Sequence, residues 1–126
     1  MAINATFSGQ LLVTDNLGSN PLVKFLSGFQ FKGTTQTYSQ NQLIGASPTT
    51  ITLPISPTQV IYVANLHATQ TLTVTWTPNG GSSNVVVTLQ PTAMILHVSP
   101  NVTSGITALS LQGSGASTNC EFILVG

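Results

Sequence analysis

Thr71-Leu72-Thr73-Val74-Thr75-Trp76-Thr77 alternates hydroxyl and apolar residues without a slip. Period-two alternation of β-branched and aromatic residues predicts a strand with one face buried. Leu72, Val74 and Trp76 fall on one face and the four threonines on the other. Pro78-Asn79-Gly80-Gly81-Ser82-Ser83 then breaks the pattern with residues that tolerate the positive φ of a chain reversal. Val85-Val86-Val87-Thr88-Leu89 restarts a strand, and Pro91 ends it, so the stretch reads as a hairpin. Just upstream, Val60-Ile61-Tyr62-Val63-Ala64 is apolar on both parities, the pattern of a central strand.

The rest of the chain follows the same grammar. Ile3, Ala5, Phe7, Leu11 and Val13 share one parity in a long first strand, with a bulge or bend expected at Ser8-Gly9. After the turn formers Asp15 to Pro21, the residues Phe25, Ser27, Phe29 and Phe31 alternate with Lys24, Leu26, Gln30 and Lys32. That predicts a second strand with an aromatic inner face and both lysines on the opposite one. Gly33 to Gln42 is polar without clear periodicity, and reads as a long loop holding at most a short edge strand. Ile51, Leu53 and Ile55 alternate among Pro48, Pro54 and Pro57. Proline cannot donate to a ladder, so this segment is expected at a sheet edge. Ala93–Val98, Ile106–Leu111 and Cys120–Val125 complete the set of strands.

Eight or nine strands separated by Gly, Pro, Asn and Ser breaks, with no sustained 3.6-residue period, predict an all-β chain. One antiparallel β-sandwich over residues 1–126, most plausibly a jelly roll, fits that spacing. An immunoglobulin-like sandwich is the alternative, although its paired cysteines flanking a tryptophan are absent.

Composition excludes several functions. Only 3% of residues are charged: Asp15, Lys24, Lys32 and Glu121. Typical soluble domains carry about 25%. No basic patch is available to track phosphates, so nucleic acid is not an expected partner. No apolar run approaches the roughly 20 residues of a membrane span. Met1-Ala2-Ile3-Asn4 does not open a signal peptide, so Asn4-Ala5-Thr6 and Asn101-Val102-Thr103 read as chance sequons. A neutral surface of Thr, Ser, Asn and Gln lacks the charge that keeps proteins apart, and suits burial against another subunit.

The supply of reactive groups is small: Asp15, Glu121, His67, His97, Cys120, two lysines and two tyrosines. No paired carboxylates share an element. No base and orienting acid are placed beside Cys120 or a serine, so the chain is read as non-enzymatic. His67 and His97 with Cys120 or Glu121 are the residues available for a metal set, and the Asp15–Asn20 loop offers oxygens for calcium. Both lack ligand density, and no cofactor or metal is expected. Asn79-Gly80-Gly81-Ser82-Ser83 precedes a strand and is followed by no lysine, so it is a hairpin loop and not a phosphate cradle. The parity of Trp76 assigns it to the core. Tyr38, Gln40, Asn41 and Asn79 are the candidate interaction loops, and Ile51, Leu53 and Ile55 the candidate edge-strand contacts.

Val63-Ala64-Asn65-Leu66, Leu72 to Pro78 with Gly80-Gly81, Gly105 to Leu111, and the final apolar strand ending in Gly126 together resemble small structural proteins of tailed bacteriophages. The resemblance is one of pattern and composition, over roughly the last two-thirds of the chain. It implies a β-sandwich that decorates or cements a capsid, or forms a head or tail appendage. It implies a virion location after synthesis in the host cytoplasm, self-association as a trimer or dimer, and a major capsid protein or tail proteins as partners. It carries no catalytic residues. The alternative it leaves open is a glycan-binding or receptor-binding module of an appendage.

Overall fold

The computed structural model describes the backbone of residues 3–13 and 22–33, and the chain over 35–81, 83–99 and 105–126. Ten strands and no helix occur among the described residues. They are β1 (Ile3–Val13), β2 (Leu22–Gly33), β3 (Gln36–Ile44), β4 (Thr49–Ile51), β5 (Val60–Asn65), β6 (Leu72–Pro78), β7 (Val85–Leu89), β8 (Met94–Val98), β9 (Ile106–Gly113) and β10 (Thr118–Val125). Eight of them form two antiparallel four-stranded sheets, ordered β3-β10-β5-β8 and β4-β9-β6-β7. The fold is a β-sandwich. β1 and β2 pair only with each other, as a separate two-stranded ribbon.

The sandwich core is built from the alternation visible in the sequence. From β6 the buried side is Leu72, Val74 and Trp76, and the threonines between them are half-buried on the other side. β10 contributes Cys120, Phe122 and Leu124, β5 Ile61 and Val63, and β9 Leu109 and Leu111. Each fully buried aliphatic side chain of this kind contributes about 1.5–3 kcal/mol. Ile44, at the end of β3, and Ile51, in β4, close the core from the two edge strands. The segment after β4 is held to β9 by a reciprocal backbone pair between Thr58 and Ile106 at 2.8 and 2.7 Å.

Three expectations need correction. Gly33–Gln42 is not a long loop: Gln36–Ile44 is a nine-residue strand at the edge of its sheet. A bulge opposite Cys120 and Phe122, where Asn41 has φ 59°, interrupts its alternation and hides the period. The strand expected over Thr49–Ile55 stops at Ile51. It is an edge strand, as its prolines require, but Leu53 and Ile55 lie beyond it. Finally, the irregularity expected at Ser8-Gly9 is present, with the extra residue on the partner strand. Phe7 pairs with Phe29, whereas Gly9 pairs with Leu26. The slip changes the parity of β2. Phe25, opposite Gln10, falls on the other ribbon face from Phe29 and Phe31, and Lys24, opposite Leu11, is separated from Lys32, opposite Asn4.

Candidate interaction surface

In the sheet β3-β10-β5-β8, both sides are largely apolar. The inner side belongs to the core. On the outer side one row crosses all four strands: Tyr38 lies opposite Ile123, Ile123 opposite Tyr62, and Tyr62 opposite Leu96. The neighbouring row holds Glu121, Ala64 and Met94. The row on its other flank is Gln36, Val125, Val60 and Val98. Strand pairing at about 4.8 Å sets these side chains edge to edge, so the rows form a continuous surface.

That surface is covered at one end and bare at the other. Val60 and Val125 are 7% and 3% exposed, and with Val98 and Ile123 they form a small apolar cluster apart from the main core. Tyr38 is 55% exposed, Leu43 62%, Met94 66% and Leu96 38%. Scattered exposed aliphatic residues are ordinary, whereas a contiguous apolar row on a regular sheet is a candidate contact surface. Glu121 is the one charged residue in these rows. The Tyr62 phenol is held above its usual pKa, first by burial, then by the Glu121 carboxylate and by Tyr38. It therefore stays a neutral donor within an apolar row.

The other sheet turns a different chemistry outward. Thr50, Ser110, Thr75 and Val86 form one row, and Gln112, Thr73 and Thr88 the next. Hydroxyls and an amide dominate, and Val86 is the apolar exception.

The sequence-derived candidates divide between these surfaces. Tyr38, Gln40 and Asn41 are exposed, but they lie on β3 and not in a loop. Asn79 is in the turn after β6, in the other sheet, with its backbone N–H donated to Gly105 O at 2.8 Å. The four residues therefore do not belong to one loop cluster. Ile51 lies in the edge strand β4 with its side chain in the core, and Leu53, beyond that strand, packs its side chain against the same core. Ile55 is exposed, outside any strand, and its carbonyl accepts the Thr58 hydroxyl at 2.6 Å.

The reactive side chains are used structurally. Nδ1 of His67 accepts the backbone N–H groups of Thr69 and Gln70 at 3.1 and 2.9 Å, which closes the β5–β6 turn. His97 lies on the inner side of β8, with its ring centroid 5.3 Å from that of Trp76. Burial lowers its pKa below the usual value. Cys120 is buried, and its thiol is pushed up to about 11 by desolvation. Among the described residues no three His, Cys, Asp or Glu side chains stand together as a metal set.

Two features escaped the sequence reading. One is the outer row itself, signalled by the double-faced apolarity of β5 but not followed to Ile123, Met94 and Leu96. The other is Asn65, a buried organiser of turns. Its Nδ2 donates to the carbonyls of Gln70, Leu89 and Gln90 at 2.8, 3.2 and 3.1 Å, and its Oδ1 accepts the N–H of His67 at 3.0 Å. Nothing short of the fold brings those four groups to one amide.

No family model matches this chain, and no curated protein or solved structure matches it either.

Proposed function

We propose that this chain is a non-enzymatic structural protein that works by self-association and by docking onto a larger surface. The observation that carries the reading is the apolar outer row Tyr38–Ile123–Tyr62–Leu96 on an almost uncharged chain. Such a surface gains by burial and has little charge to desolvate. The phage resemblance gives the proposal its setting: a virion component, bound to a major capsid protein or to tail proteins as a dimer or trimer. Consecutive strands alternate between the sheets except at the β6–β7 hairpin. That order supports reading the sandwich as a jelly roll, an architecture of many capsid domains.

The test is absolute mass by light scattering across a sizing column at several salt concentrations. A dimer or trimer indifferent to salt is the expected result, because an interface without ion pairs is not screened. A single-chain mass at all concentrations would overturn self-association. The exposure of Tyr38 beside Gln40 and Asn41 on one edge strand favours glycan binding as the second reading, with an aromatic platform and amide donors. A glycan that protects those three residues, on a protein that stays single, would select it.

A further inference from the structure

The turn after β6 sets an asparagine side chain beside an accessible backbone nitrogen. Pro78-Asn79-Gly80-Gly81 reverses the chain, with the Gly81 N–H donated to Pro78 O at 3.0 Å. Asn79 keeps a negative φ and Gly80 has φ 71°, the pattern of a type II turn, which wants glycine at its third position. The Asn79 N–H is donated to Gly105 O at 2.8 Å. The Gly80 N–H lies between these two donors and takes part in neither bond. Asn79 and Gly80 are both exposed, and the space that a Cβ on Gly80 would enter is open.

The chain has nine asparagines, and only Asn79 precedes a glycine. An asparagine carboxamide can reach the backbone nitrogen of the next residue and close a small ring with it. A side chain on that next residue crowds the approach, and glycine has none. The other asparagines are placed differently. Asn84 is exposed on the same hairpin, but β-branched Val85 follows it and its Oδ1 accepts the Thr77 hydroxyl at 2.9 Å. Asn65 is buried and its amide is held by the turns it organises.

We infer that Asn79-Gly80 is a site of self-modification, where the asparagine loses ammonia and becomes isoaspartate or aspartate. The Gly80 nitrogen gives its proton to solvent base and attacks Cγ of Asn79. A bond forms between them, the bond from Cγ to Nδ2 breaks, and Nδ2 leaves with a proton as ammonia. The resulting cyclic imide takes up one water. Opening at Cγ gives aspartate, and opening at the main-chain carbonyl gives isoaspartate. Nothing is oxidised or reduced: one amide and one water become one acid and one ammonia. Either product adds a carboxylate to an almost uncharged chain. Isoaspartate also puts an extra carbon into the backbone of the turn that the Gly81 N–H closes. The inference goes beyond the proposed function and does not depend on it.

The experiment keeps the full folded chain in mildly alkaline buffer made with heavy-oxygen water, and digests samples over time. The peptide containing Asn79 is expected to gain the mass of an amide turned to an acid with one heavy oxygen. Native isoelectric focusing is expected to show a species one charge more acidic. Isoaspartate should be present, read by a methyltransferase specific for it, and mildly acidic buffer should slow the change. Asn79→Gln should abolish the new acidic species. An unchanged Asn79 in the folded chain, with conversion once the chain is unfolded, overturns the inference, because the turn then protects the residue. Conversion of Asn84 as fast as Asn79 overturns it too, and so does a product that is aspartate alone, since direct hydrolysis needs no ring. The same acidic shift in Asn79→Gln would place the chemistry elsewhere.

Discussion

The two sheets of this sandwich have similar inner sides and opposite outer ones. Inside, both present Leu, Ile and Val with one large aromatic, Phe122 from β10 and Trp76 from β6. Outside, β4-β9-β6-β7 shows rows of Thr, Ser and Gln, and β3-β10-β5-β8 shows Tyr, Ile, Leu and Met. Hydroxyls on a strand keep the β propensity of a branched residue and satisfy water at the same time. Apolar residues in the same position leave a surface that water does not satisfy. The contrast teaches that the absence of charge is not one property of this chain. One face is neutral and polar; the other is neutral and apolar.

The largest expected effect separates inner from outer. Trp76→Ala should lose about 3–5 kcal/mol of stability, because it empties a packed aromatic site. Tyr62→Ala, on the outer face, should leave single-chain stability nearly unchanged and lower the apparent mass instead. Denaturant unfolding and light scattering on the same two variants read both quantities. If Tyr62→Ala unfolds the protein as Trp76→Ala does, the outer row is core and the contrast fails.

Next is the amide that ties the sheets' turns together. Asn65→Ala strips the partners from the Gln70, Leu89 and Gln90 carbonyls and from the His67 N–H. A loss of about 2–3 kcal/mol is expected. A loss below ~0.5 kcal/mol in chemical denaturation would mean that those groups find water instead.

Acid should sharpen the comparison from within. Burial holds the folded-state pKa of His97 below its ordinary value, so proton uptake favours the unfolded chain. This contribution is fully present above the unfolded pKa of about 6.5. It is lost as pH falls below that value, and the loss levels off under the folded-state pKa. His97→Gln should flatten that part of the pH–stability curve, and an unchanged slope would contradict the placement against Trp76.

The smallest effect lies at the joint between the two sheets. Thr92 has φ 65° in the turn from β7 to β8, where Ala93 N–H is donated to Gln90 O at 3.0 Å. A β-branched residue is strained there, and glycine is not. Thr92→Gly should raise stability by ~1 kcal/mol or less in a thermal melt; a lower melting temperature would refute the strain.

Much of this was legible in the sequence, for a physical reason. Where one side of a strand meets the core and the other meets water, the residues must alternate, and β6 reads itself aloud. β5 announced its position through apolarity on both parities. The failures fall where that rule is relaxed. The edge strand β3 has water along one side and a bulge at Asn41, so its polar residues carry no period. In β2 one extra residue opposite the stretch from Phe7 to Gly9 splits the phenylalanines and the lysines between two faces, which counting by twos cannot show. Local alternation does not state which strands are neighbours. The row Tyr38–Ile123–Tyr62–Leu96 therefore appeared only when β3, β10, β5 and β8 were placed side by side.

The position of β10 has a consequence for the timing of synthesis. It lies between β3 and β5, so two strands made early have no common neighbour until one made much later arrives. Contacts of that sequence separation close slowly, because the intervening chain must be ordered first. The central stripe of the apolar face, with Ile123 and Glu121, comes from this late strand. A nascent chain on the ribosome therefore displays no complete outer face on this sheet until Thr118–Val125 has been made.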